Sequence, residues 1–284
     1  MPKRLFNILS VMTLSLLLLS LFPAAAQDPA PAQSGGWSSG APMPTRRSEI
    51  ASAVLDGFIY VAGGIGEDWT TRAEFERYDI AANRWTSVAP LPVGLHHLGM
   101  AALDGQIYVT GGYANMDFIA DQAATYVYDP AADAWTPVAD MPAARAGHAM
   151  AKVGDRLYVV GGVGPRAEEV WTYDPAADAW DTSTPPLPTP REHLAAVGVG
   201  NVLYAIGGGV DGSNLATLEQ YEPEFGRWTT LPPMPTPRGG LTAGAVDGVI
   251  HVTGGELFEP ASTYNQHEVF KYGEWITLEP MPTA

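Results

Sequence analysis

Leu157-Tyr158-Val159-Val160-Gly161-Gly162 is a short apolar strand running into a glycine doublet. The same word stands at Ile59-Tyr60-Val61-Ala62-Gly63-Gly64, Ile107-Tyr108-Val109-Thr110-Gly111-Gly112 and Leu203-Tyr204-Ala205-Ile206-Gly207-Gly208. It returns with one change at Ile250-His251-Val252-Thr253-Gly254-Gly255. The doublets are 48, 50, 46 and 47 residues apart. A period of about 50 residues built on a strand and a glycine pair predicts a propeller array with one blade per repeat.

The third repeat shows the layout. Arg145–Val153 reads as a small-residue strand, and Gly154-Asp155 as a two-residue hairpin turn, matched by Asp56-Gly57, Asp104-Gly105, Gly200-Asn201 and Asp247-Gly248. Arg156–Val160 is the second strand. A variable loop, a third strand at Glu169–Tyr173 and a turn at Asp174–Asp178 follow. Trp180 opens the fourth strand, which leaves through Pro185-Pro186-Leu187-Pro188. Tyr precedes Trp by seven residues in four repeats (Tyr78 and Trp85, Tyr128 and Trp135, Tyr173 and Trp180, Tyr221 and Trp228); the fifth is contracted around Tyr272 and Trp275.

From Trp37 onward the chain resembles the Kelch family, through the glycine doublet, the spaced Tyr and Trp, and the Met-Pro or Leu-Pro exit. The resemblance implies an all-β Kelch-type propeller of five complete four-stranded blades, with repeats near 45–90, 91–140, 141–188, 189–235 and 236–282. It implies no single function, because family members include partner-binding domains, scaffolds and a few enzymes. Trp segments number six against five doublets, the first being Trp37-Ser38-Ser39-Gly40-Ala41-Pro42-Met43-Pro44. Two arrangements follow: a shortened six-bladed ring with open blade edges able to self-associate, or five blades that close with the Trp37 strand over the seam.

The 284 residues are 46% hydrophobic and 16% charged, with 31 Gly and 25 Pro, as suits an all-β chain rich in turns. There is no cysteine, which excludes disulfides, thiolate metal sites and cysteine nucleophiles. Residues 1–26 read as an export signal: Lys3 and Arg4, an apolar run from Leu5 to Phe22, and Ala24-Ala25-Ala26 as a cleavage site. An uncleaved anchor is the alternative. Residues 27–36 form a linker, and the expected location is periplasmic or extracellular, off the membrane after cleavage. Removing the two positive charges of the signal takes the net charge from −16 to −18. That acidity disfavours nucleic acid and anionic membranes as partners.

In a four-stranded blade the loops between second and third strands share a face with the links between blades. Here that face carries the variable loops, Ile65–Ala73, Tyr113–Thr125, Val163–Ala167, Gly209–Thr217 and Glu256–His267, where binding is expected. Sixteen residues before the doublets stand Arg47, Arg145, Arg191 and Arg238, with Leu95 in the second repeat. Fourteen before stand Glu49, His97, Gly147, His193 and Gly240. Arginine forks at a channel mouth suit an acidic ligand, a sugar acid or an acidic glycan or peptide. The same repeated position also suits a framework role, each Arg paired with an acid or carbonyl of a neighbouring blade. Tyr113, Phe118, Trp69 and Tyr264 on the loops could supply stacking surfaces.

Two enzyme resemblances bear on this. Copper radical oxidases of the galactose-oxidase type need a cysteine cross-linked to tyrosine, which this chain lacks. Sialic-acid mutarotases are also exported Kelch-like propellers; by that resemblance Glu49, His97 or His193 would act as the acid–base group beside Arg145 and Arg191. No His/Asp/Glu grouping has the spacing of a metal site and no metal is expected, Asp211-Gly212-Ser213-Asn214 reads as a plain turn, and no cofactor motif occurs. The expectation is an exported recognition or scaffold module for a protein or acidic ligand.

Overall fold

The computed structural model describes residues 36–120, 122–257 and 262–283. The expected export signal at 1–26 lies outside them. Among the described residues no helix is long and apolar enough to cross a membrane. The unit from Trp37 onward holds five four-stranded antiparallel sheets. Their strands are Ala51–Leu55, Phe58–Ala62, Phe75–Asp79 and Arg84–Ser87 in the first blade, and Gly99–Leu103, Gln106–Thr110, Thr125–Asp129 and Ala134–Val138 in the second. The third has Ala149–Val153, Arg156–Val160, Trp171–Asp174 and Ala179–Asp181; the fourth Ala195–Val199, Val202–Ile206, Leu218–Glu222 and Arg227–Leu231. Thr242–Val246, Val249–Thr253, His267–Lys271 and Glu274–Thr277 make the fifth.

Two strand limits differ from the sequence reading. Residues 145–148 form a link rather than strand, because Gly147 turns the chain at φ +63°. The third strand begins at Trp171, since Glu169 belongs to a turn closed by its N–H to the Arg166 carbonyl. The hairpin turns are as expected: Asp56-Gly57, Asp104-Gly105 and Asp247-Gly248 all have positive φ, which matches the twist of adjacent strands.

The glycine doublet stitches one blade to the next. The first glycine of each pair lies at φ between +54° and +66°, and in the first four pairs the link of the following blade passes directly over it. A Cβ would stand 2.5 Å from the Arg191 carbonyl at Gly161, and 2.7 Å from that of Arg238 at Gly207. The second glycine uses this approach. Gly64 N–H donates to Leu95 O, Gly112 to Arg145 O, Gly162 to Arg191 O and Gly208 to Arg238 O, at 2.8–3.0 Å. Second strands such as Leu157–Val160 are consequently buried on both faces.

Tyr and Trp pair across the third and fourth strands, with ring centroids 5.0–5.2 Å apart in four blades. Each Trp Nε1–H reaches back to a carbonyl just beyond the preceding Trp: Trp85 to Ala41, Trp135 to Ala89, Trp180 to Ala139, Trp228 to Pro185 and Trp275 to Pro232. Trp37 donates in the same way to Glu279 O, at 3.0 Å. The Trp37 segment therefore holds a sixth station between the fifth blade and the first, while the sheets fill five.

The seam at that station is open on its inner side. Val54 on the first blade is 63% exposed and Val246 on the fifth 60%, whereas Leu103 and Val153, equivalent to Val246, are 2% and 5% exposed. Among the described residues no link passes over the fifth doublet; a Cβ on Gly254 would first meet the Met281 side chain.

Candidate functional site at the channel mouth

The short pairings between His96 and Tyr113, Ala146 and Val163, Glu192 and Gly209, and Gly239 and Glu256 hold the blade links against the residues just after the doublets. Links and variable loops thus share one face, as expected. The arginines, however, turn inward. Arg47, Arg191 and Arg238 have fully buried side chains paired with Glu76, Glu219 and Glu268 at 3.0, 2.6 and 3.0 Å. These glutamates occupy one position on the third strand of each arginine's own blade, not of a neighbour. Thr45, Thr189 and Thr236, two residues before each Arg, hold the other carboxylate oxygen.

Where the partner changes, the arginine changes its contact. In the third blade the equivalent residue is Trp171, and Arg145 stacks on its ring with Cζ 3.5 Å from the centroid. Its guanidinium donates to the carbonyls of Arg166 and Glu169. In the second blade Leu95 accompanies Tyr126 at that position. Burial lowers the pKa of all four arginines, against the raising effect of nearby glutamates, most strongly for Arg145, to about 10. These groups bind the framework and do not line the opening.

Glu49, His97 and His193, by contrast, converge. All five residues at their position have left-handed backbone: Glu49 φ +52°, His97 +56°, Gly147 +63°, His193 +51° and Gly240 +58°. The cause is a backbone chain around the channel, in which His97 N–H donates to Glu49 O, Gly147 to His97 O, His193 to Gly147 O and Gly240 to His193 O, at 2.9–3.2 Å. Glycine adopts this conformation freely, whereas a side chain costs about 1 kcal/mol or more. Three blades carry that cost, and their side chains meet. His97 Nε2 lies 3.2 Å from Glu49 Oε2, and the rings of His97 and His193 are 4.9 Å apart.

A cavity of about 380 Å³ opens above them, with Glu192, Glu256, Trp69, Tyr113 and Phe118 in its walls. A larger one of about 580 Å³ continues along the channel past His148, Leu194 and Tyr264. Tyr113 is a buried wall residue, 5.4 Å from the His97 ring. Phe118 and Trp69 are exposed at the rim, by 49% and 74%. The Asp211-Gly212 stretch is the plain turn expected, joining Gly209–Val210 to Ser213–Asn214.

The electrostatics follow from this crowding. Burial raises the Glu49 carboxyl, with Glu256 adding to the rise and His193 opposing it. Burial, with the charges of His193 and His96, pulls His97 down to about 3. Burial also acts to lower His193, but the hydrogen bond and charge of Glu192, helped by Glu49 and Glu256, outweigh it and raise the pKa. Glu192 is lowered by the same contact. The mouth thus combines an imidazole that burial keeps neutral, one whose proton its carboxylate neighbours favour, and several carboxyl groups.

The profile of the KLHDC2/KLHL20/DRC7 Kelch-repeats domain matches residues 34–186 and again 137–255. The chain belongs to the Kelch-repeat family. No curated protein sequence matches it. Among solved structures it is similar to the one described as the structure of YjhT, at 18% identity and a TM-score of 0.71, over 84% of this chain and 85% of that one. At that identity the likeness concerns the fold. Within this Kelch propeller, the Arg–Glu framework was visible in sequence as a covarying pattern that spacing from the doublet alone does not test. Thr-x-Arg accompanies a third-strand Glu in repeats one, four and five, and the repeats without that Glu lack the Thr. Sequence reasoning also saw no metal-type grouping, because Glu49, His97 and His193 are 48 and 96 residues apart and only the ring brings them together.

Proposed function

We propose that the protein is a recognition module that receives a basic, apolar-flanked segment of a protein partner at the channel mouth. One observation carries this reading: Glu49, Glu192 and Glu256 gather at the mouth while the four arginines are buried in the framework. That reverses the ligand charge expected from the sequence. Carboxylates favour cationic side chains, and the exposed rim residues Trp69 and Phe118 offer the apolar contact on which protein interfaces concentrate their energy. Export remains part of the proposal, resting on residues 1–26 alone, and N-terminal sequencing of the mature protein tests it.

Peptide display against the purified protein tests the binding reading. The expected peptides carry Lys or Arg beside aromatic residues, and Trp69→Ala with Phe118→Ala weakens them at least about tenfold. An acidic consensus, or binding indifferent to both loop changes, refutes it. A second reading, acid–base opening of a sugar ring, is favoured by the raised Glu49 carboxyl beside a neutral His97. Among the described residues no arginine lines the mouth cavity to hold a sugar acid. Anomer exchange of N-acetylneuraminic acid is accordingly expected at the uncatalysed rate by NMR; exchange abolished by Glu49→Gln would establish the enzyme instead.

A further inference from the structure

We propose that Glu49, His97 and His193 form a binding site for a divalent transition-metal ion, with Zn²⁺ the ion best suited to the donor set. One nitrogen or oxygen from each residue lies within 4.8 Å of the others. Two imidazoles and a carboxylate are a donor set of open zinc sites, in which ligand distances of about 2.0–2.2 Å place donors roughly 3.3 Å apart. His97 and Glu49 already stand at 3.2 Å, and a small rotation of His193 completes the set.

The hydrogen bonds give an independent reason to place a cation there. His96 Nε2 lies 2.9 Å from the Asn115 carbonyl, which can only accept, so that nitrogen carries the proton. The other nitrogen of a neutral His96 is then an acceptor, and it lies 2.6 Å from His97 Nδ1. His97 Nδ1 must therefore donate. The remaining His97 nitrogen, Nε2, holds a lone pair, and it faces Glu49 Oε2. Two electron-pair donors at that distance repel unless a cation lies between them. A proton shared by Glu49 and His97 is the alternative, with His193 held beside them by Glu192 and by its edge contact with the His97 ring.

The surroundings have the form of an outer coordination shell. Metal-bound histidines use their second nitrogen on a carboxylate or carbonyl, which fixes the ring and its tautomer. Glu192 Oε2 lies 3.4 Å from His193 Nδ1, and His96 relays His97 to the Asn115 carbonyl. The backbone points the same way. Of the five left-handed positions around the channel, the two outside the cluster are glycine and the three within it are potential ligands. Three protein donors leave coordination positions open toward the mouth, where a donor atom of a partner or substrate could enter. The metal site does not depend on which partner docks.

Calorimetric titration of Zn²⁺ into the chelator-treated protein is the test. One ion per chain is expected. Glu49→Gln and His97→Gly should each weaken binding at least about tenfold, and His96→Ala by about 10–100-fold. His97→Gly introduces the residue that two other blades carry at this position, so the fold should survive; Glu49→Gln keeps the side-chain shape. His267→Ala, at the separate His251–His267 contact, should leave binding unchanged. No binding to the folded protein, binding unaltered in both Glu49→Gln and His97→Gly, or binding lost only in His267→Ala would overturn the proposal. In the first case a shared proton holds His97 against Glu49.

Discussion

Replacing Arg191 by Met keeps the aliphatic length of the side chain and removes its charge and donors. Arg191 donates to Glu219 at 2.6 Å, to the Thr189 and Gly207 carbonyls at 2.7 Å and to Ala205 O at 3.0 Å. Neither side chain of the pair is more than 1% exposed. Removing one partner of a buried pair strands the other charge, at a cost of about 3–5 kcal/mol. For a propeller of this size each kcal/mol shifts Tm by about 2–4 °C, so a fall of roughly 6–20 °C is expected in a circular-dichroism melt. The repeats themselves supply a rescue. Leu95 and Tyr126 occupy the two positions in the second blade, so Arg191→Leu with Glu219→Tyr should recover at least half of the loss. The double-mutant cycle measures the coupling directly. A loss below about 1 kcal/mol for Arg191→Met, the range of exposed ion pairs, would refute the framework role.

Acid should destabilise the propeller through its buried imidazoles. Burial, with the Arg145 charge, lowers His148 to about 3, so between about pH 6.5 and that value the unfolded chain binds a proton the folded chain refuses. Stability therefore falls as pH drops below about 6.5, by up to about 1.4 kcal/mol per unit for this group. His148→Gln should flatten the pH dependence of the denaturant midpoint between pH 6.5 and pH 5, and a slope identical to the wild type would contradict the assignment. At the seam, Trp37→Ala removes one hydrogen bond to Glu279 O, worth about 1 kcal/mol. Protease cleavage within residues 37–46 should accelerate while the five sheets stay intact; unchanged cleavage would show that Trp37 does not hold that segment.

The blades were legible because their signals are local. A glycine doublet, an Asp-Gly turn and a Tyr seven residues before a Trp each report backbone geometry within one repeat, and the ladder registers follow from them. The arginine position was also legible, but not its direction, because a residue near the channel by sequence phase can point inward or outward. What decides is the third-strand residue opposite, Glu76, Glu219 or Glu268, some 28–30 residues downstream. Glu49, His97 and His193 were found as a phase, not as a constellation. Their meeting depends on how the first, second and fourth blades stand around the channel and on the left-handed backbone at each position, which no spacing within a repeat encodes.

The most direct measurement is a crystal structure of the protein grown with Zn²⁺, with anomalous data collected on both sides of the zinc absorption edge. One strong zinc-specific peak is expected at the channel mouth, ligated by Glu49, His97 and His193, with Arg47, Arg191 and Arg238 still paired to their glutamates and Arg145 still on Trp171. A peak only at His251 and His267, or no zinc peak at the mouth, would overturn the metal site, and an arginine side chain in the mouth would overturn the framework role.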